Sequence, residues 1–130
     1  MSQENVETFR RGNAAIRRGD WDAVAAGMDP DVLLRMETRW PEQRVYGREA
    51  ALAFYRGLWE SAGTDVRIED ITDLGDRVLA RCCWLMRGAH SGVQGEFWTS
   101  VLITFRDGRA ILEEFFIDNE QALKAVGLEK

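Results

Sequence analysis

Histidine is nearly missing from this chain, and cysteine and proline are scarce: His90, the adjacent pair Cys82 and Cys83, and Pro30 and Pro41 are all that 130 residues hold. Each scarcity excludes something. One histidine cannot build a histidine-rich metal centre, and two neighbouring cysteines cannot form a disulfide framework, so a reducing cytoplasm is the expected compartment. No apolar run approaches the roughly 18 residues that a membrane span needs, and the opening MSQENVETFRR has no apolar leader region. Lysine and arginine (17) are outnumbered by aspartate and glutamate (22), a net charge of −5 that argues against nucleic acid and anionic membranes as partners. A glycine-rich phosphate loop, a zinc motif and a Ser/His/Asp constellation are also missing. What remains is a small-molecule or protein partner, with no metal and no cofactor expected.

What the chain does have is aromatic bulk, with five tryptophans and six phenylalanines. Such rings either fill a large core or line an apolar pocket. The length suits one domain, 1–130, burying roughly two-thirds of its unfolded surface.

Helical spacing of Val6, Phe9 and Ile16 predicts a first helix that ends near residue 18 at Gly19. Asp20 is placed to cap a short second helix carrying Trp21, Val24 and Met28 inward, with Pro30 forcing Asp29 out of helical geometry. Residues 32–38 read as a strand with Val32, Leu34, Met36 and Thr38 on its apolar face, and Leu33, Arg35 and Glu37 on the other. A loop over 39–47 leads to a third helix over 48–62, where Leu52, Tyr55, Leu58, Trp59 and Ala62 recur at helical spacing. The period then changes to two, giving strands at 66–72, 77–89, 96–106 and 109–118, with Asp107-Gly108 as a hairpin turn. A short last helix closes at Gly127. Helices followed by a meandering sheet make an α+β arrangement in which the helices lie on one face of a curved sheet and leave a cavity at its open end.

Several stretches together carry a family resemblance: RRGDWDAV (17–24), MDPDV (28–32), RWPEQRVYGREA (39–50), LGDRVL (74–79), SGVQGE (91–96), TFRDGR (104–109) and FIDNEQALKAVGL (116–128). Over nearly its whole length the chain resembles the nuclear transport factor 2-like superfamily and, within it, the SnoaL-like (polyketide-cyclase-like) branch. The resemblance implies a cone-shaped, cystatin-like fold. Three N-terminal helices would pack on a strongly curved mixed or antiparallel sheet, with a short C-terminal helix, an internal ligand pocket and often a homodimer through the outer sheet face. Isomerases, dehydratases, epoxide hydrolases, aldol-type cyclases and non-catalytic transport factors share this scaffold, so the fold supplies a site and not a function. Ketosteroid isomerases carry a tyrosine and two aspartates where this chain has Gly12, Met36 and Val101. Glu37 is an alternative for the first-strand position, but its alternation places it opposite Met36. Steroid-isomerase chemistry is therefore not expected.

Strand alternation places Val78, Ala80, Cys82, Trp84 and Met86 inward, together with Phe97, Thr99, Val101, Ile103 and Phe105. Trp98 and Leu102 then fall outside or at a dimer contact, with Trp98 beside Leu102 as a natural interface anchor. On the last strand Glu113 lies on one face and Glu114 on the other, and the isomerase register puts Glu113 inside. SnoaL-like cyclases use an acid in the cup for proton transfer, which makes Glu113 the catalytic candidate. The alternatives are a structural glutamate paired with Arg17 or Arg35, or an exposed one if the strand is shifted by a residue. Substrate-binding candidates are Met36, Thr38, Trp40, Tyr55, Trp59, Cys82, Trp84, Met86, Thr99, Val101 and Phe115, with Asn13 a further polar group. Trp40 and Trp59 are read as apolar lids, although Trp59 at helical spacing with Tyr55 also suits plain core.

Cys82 and Cys83 must point to opposite faces. His90 lies eight residues beyond Cys82, about 26 Å away at roughly 3.3 Å per strand residue, so a thiol–imidazole pair is excluded in an unbroken strand. The expected function is cofactor-independent acid–base chemistry, of the isomerase, dehydratase or cyclase type, on a small apolar or cyclic molecule. The alternative is a non-catalytic ligand-binding protein or dimeric scaffold.

Overall fold

The computed structural model of the chain describes residues 2–36, 43–87 and 94–127. Its elements run α1 (Ser2–Arg17), α2 (Trp21–Ala26), β1 (Met28–Arg35), β2 (Arg44–Tyr46), α3 (Arg48–Ala62), β3 (Gly63–Asp73), β4 (Arg77–Arg87), β5 (Gln94–Arg106), β6 (Arg109–Phe116) and α4 (Asn119–Ala125). Gly19, at φ +70°, makes the left-handed turn that ends α1. Asp20 then caps α2, its carboxylate accepting from the Ala23 amide at 3.2 Å.

The strands form one sheet in the order β2-β1-β6-β5-β4-β3. Strands β3 to β6 are an antiparallel meander, while β1 lies parallel to β6 and β2 folds back antiparallel on β1. Irregularities in register at Ile68/Asp70, Thr104/Phe105 and Met28/Leu33 interrupt the ladders, and such bulges bend and twist a sheet. Asp107 and Gly108 both have positive φ (54° and 78°), as a two-residue hairpin turn requires.

The main core joins α1, α2 and α3 to the inner face of this sheet, with Ala15, Val32, Leu34, Ala51, Val66 and Val78 among its most buried members. On the opposite face a smaller cluster forms where α4 covers Leu79 and Leu102. Hydrogen bonds fix α4 there. Arg81 Nη1 donates to Ser100 Oγ (2.9 Å) and to the Ile117 carbonyl (3.2 Å), and Ser100 Oγ donates to Asn119 Oδ1 (2.7 Å). Among the described residues no helix is long and apolar enough to cross a membrane.

Three expectations need correction. Met28, Asp29 and Pro30 do not end a helix but begin β1, because α2 already stops at Gly27, whose carbonyl accepts from the Ala110 amide at 2.8 Å. The stretch read as a loop over 39–47 contains β2, held by the Met36 amide donating to the Gln43 carbonyl (2.8 Å) and the Gly47 amide donating to the Val32 carbonyl (2.8 Å). Leu102 is not an outer contact residue: only 2% exposed, it lies beneath α4.

Leu34 is fully buried and pairs with Glu113 across the β1–β6 ladder. Leu34→Ala is expected to destabilise the fold by about 2–5 kcal/mol, as cavity-forming core truncations do, measured by urea unfolding.

Candidate functional site

The site is built outward from β6. Phe105 pairs with Ala110 and Thr104 with Leu112, so Ile111 is an extra residue in β6 with no counterpart in β5. From that bulge on, Leu112, Glu114 and Phe116 face outward, while Glu113 and Phe115 face the helices. Glu113 pairs with Ile103 on one side and Leu34 on the other and is 4% exposed. Across from it, α3 buries Ala51 and Tyr55, one helical turn apart. The Tyr55 hydroxyl donates a hydrogen bond to Glu113 Oε1.

Burial pushes the Glu113 carboxyl up to about 7, against the pull of the Tyr55 hydrogen bond, which favours the charged form. Tyr55 is itself raised well above the usual phenol range, by burial first and then by the Glu113 charge. Neither arginine that might have paired with Glu113 reaches it. Arg17 pairs with Asp65 at 2.7 Å and Arg35 with Glu114 at 3.7 Å, both toward solvent.

Glu113 opens onto a cavity of about 90 Å³. Its walls are Phe9, Gly12, Asn13 and Ile16 of α1, Val24 and Met28, Tyr55, and the inner faces of β3 to β6 including Val66, Cys82, Trp84, Thr99, Val101, Phe105 and Phe115. A second, narrower space of about 20 Å³ lies toward Met36, Phe54, Leu58 and Phe97, and shares Tyr55, Trp84, Thr99 and Phe115 with the first. Those four side chains form a partition across the cup. Tyr55 and Phe115 rings lie 6.1 Å apart, and Trp59 packs edge-on against Trp84 at 6.4 Å.

The structure therefore brings together Tyr55, Cys82, Trp84, Thr99, Val101, Glu113 and Phe115 around the larger cavity, with Met36 in the narrow one. Trp59 and Met86 pack against the core cluster but line neither space. Thr38, Trp40 and His90 lie outside the described residues. Asn13 donates to the Val66 carbonyl at 3.4 Å from the cavity wall. Parity reasoning missed Ala110, and of the α1 wall it found only Asn13. The apolar stripe of α1 was visible, but nothing in its spacing said that the helix covers a void.

The thiols point to opposite faces of β4, and both are buried. Cys82 is pushed up to about 12, chiefly by burial, with the Arg81 charge pulling it down and Cys83 adding to the rise; such a thiol is a poor nucleophile. Among the described residues no cluster of three His, Cys, Asp or Glu side chains can hold a metal ion. The group with reach for chemistry is Glu113, an acid near half-ionisation at neutral pH with one oxygen fixed by a phenol.

The profile of the SnoaL-like domain family matches residues 9–113. No curated protein matches the chain significantly. Solved structures do. A candidate SnoaL-like polyketide cyclase from Jannaschia superposes with a TM-score of 0.77 at 24% identity, over 99% of this chain and 95% of that one. TerC, crystallised with polyporic acid, gives 0.76 at 19% identity, over 95% and 98%. A de novo designed protein with a curved β-sheet gives 0.75 at 17% identity, over 97% and 93%. At these identities the likeness shows the fold and not an activity.

Two outcomes are expected. With its carboxyl raised from 4.5 to about 7, Glu113 holds its proton in the folded state over a pH range where the unfolded chain has lost it. Stability contributed by that proton is present below the unfolded value and falls as pH rises through the folded one, by about 3 kcal/mol in all. Urea unfolding across pH 4 to 8 should show this decline for the native protein and its absence in Glu113→Gln. Second, Cys82 and Cys83 should resist a thiol reagent at pH 8 in the folded protein and react once it is unfolded in urea.

Proposed function

The chain belongs to the SnoaL-like domain family of the nuclear transport factor 2-like superfamily, and from that premise we propose that it is a cofactor-independent enzyme moving protons on a small, largely apolar substrate. The observation that carries this reading is the Glu113 carboxyl, buried at the wall of an apolar cavity and bonded by Tyr55, with no cation among the described residues that line it. In the ionised form Glu113 takes a proton from an acidic carbon of the substrate, and in the protonated form it returns one to a neighbouring atom. The product is an isomer or, if a leaving group departs, an alkene. Tyr55 keeps its own proton throughout and holds the carboxyl in place. Aromatic walls at Phe9, Trp84, Phe105 and Phe115 favour apolar or cyclic molecules. The small molecule crystallised with TerC accords with a ligand-binding use of the scaffold.

The proposal extends to a single domain over 1–130, a cytoplasmic setting, and a homodimer through the outer sheet face. For the dimer, Tyr46 is 67% exposed, pairs with Leu33, and Leu33 in turn pairs with Leu112, all on the face away from α1, α2 and α3. Trp98, stacked under the Arg81 guanidinium at 5.5 Å, stands on the same face.

Thermal-shift screening against a metabolite panel, followed by turnover assays of the hits, tests the catalytic reading. Glu113→Gln should lower kcat/KM by about 100-fold or more while leaving ligand-induced stabilisation in place. Hits that bind without turnover by the native protein would replace the enzyme with a ligand-binding protein.

A further inference from the structure

Two concavities meet at Thr8, Gly12 and Gly27. Inside is the Glu113 cavity; outside is a groove of about 360 Å³ between α1 and α2, lined by these three residues, by small side chains such as Ala23, and by Arg11 and Arg18. Gly12 is the unusual member of this seam. It sits in the middle of α1 with ordinary helical backbone, outside the positive-φ set, and a Cβ built on it would meet nothing within 4 Å. Neither backbone geometry nor close packing requires a glycine there, and glycine weakens a helix interior relative to alanine. What its missing side chain leaves is open space at the seam.

The two sides of the seam differ in charge. Among the described residues lining the cavity, Glu113 is the one carboxyl group and there is no cation. In the groove stand two guanidiniums: Arg18 pairs with Asp20 at 3.3 Å, while Arg11 donates to the Thr8 hydroxyl at 3.2 Å. Asp20 offsets one of these charges. With five N–H donors on each guanidinium, most remain free, and the rim carries one net positive charge. A ligand that is apolar where it meets the cavity and singly anionic where it meets the groove matches both sides.

Resting on the reading of the cup as a ligand site, we propose that molecules enter it through the α1–α2 seam at Gly12. We further propose that the ligand is an apolar carboxylate whose anionic end is held at Arg11 and Arg18.

Calorimetric titration with octanoate and with 1-octanol tests this. The native protein should bind octanoate about 3- to 10-fold more tightly at low salt, the range expected for exposed charge contacts, and the advantage should shrink in 0.5 M salt. The double variant Arg11→Ala/Arg18→Ala should lose the advantage and keep its affinity for 1-octanol. Gly12→Leu should lose both ligands without a lower melting temperature. Gly12→Ala, the milder change, should melt slightly higher and bind both more weakly. Equal binding of the two ligands by the native protein, or native affinity in both Gly12 variants, overturns the proposal while the cup remains a ligand site. If the native protein binds neither ligand, the cup reading falls and this proposal falls with it.

Discussion

The inward placement of Glu113 hangs on one extra residue in β6. In an uninterrupted hairpin grown from the Asp107-Gly108 turn, Glu113 would sit opposite Leu102 on the outer face, and Glu114 would point at the helices. Ile111 inserts a step. Phe105 still pairs with Ala110, but Leu102 now pairs with Glu114, and Glu113 comes to rest beside Ile103 inside the cup. The consequences run in sequence. Glu114 is left outside to meet Arg35, and Glu113 is left inside with no cation among the described residues that line the cavity, so Tyr55 supplies its hydrogen bond and burial raises the carboxyl's pKa.

The same arrangement explains how a single carboxyl group can stand among the described residues that line the cavity. A buried carboxylate paired with an arginine would be locked in its charged form, and an unpaired one with no donor would carry its full desolvation cost. A phenol is intermediate, since it donates to the charged form without adding a charge of its own. Tyr55 can take this role because α3 packs directly on the inner face and its turn-by-turn spacing aligns Ala51 and Tyr55 with the sheet. Phe9, Phe105 and Phe115 add aromatic bulk without adding donors.

Much of this was legible in the sequence. Alternation in β4 and β5 was strict enough that Cys82, Trp84, Thr99 and Val101 could be placed on the inner wall, and the helices announced themselves through spacing, Gly19 and Asp20. The inward placement of Glu113 was less secure. Parity within β6 alone allowed either acid to face in, and a bulge leaves no periodic trace to settle it. Ala110 and Phe105 share the inner face with Glu113 only because of that bulge. Strand β2 was missed because three residues are too few to show a period. The covering of Leu102 by α4 was missed because alternation says which side a residue faces and nothing about what lies over it. The void beside Gly12 belongs to packing between elements, which no local pattern encodes.

The parallel pairing of β1 with β6 also sets an order of events during folding. Residues 28–35 are made early, yet the strand they lie against spans residues 109–116, and between them lies the rest of the sheet. At a synthesis rate of about 5–20 residues per second, β1 waits roughly 4 to 16 s for this neighbour, with only the short β2 available to cover one of its edges. Contacts this distant along the chain slow folding, because the intervening loop must close before they contribute. Glu113 belongs to the last strand to arrive, so the cup acquires its acid at the step that closes the sheet.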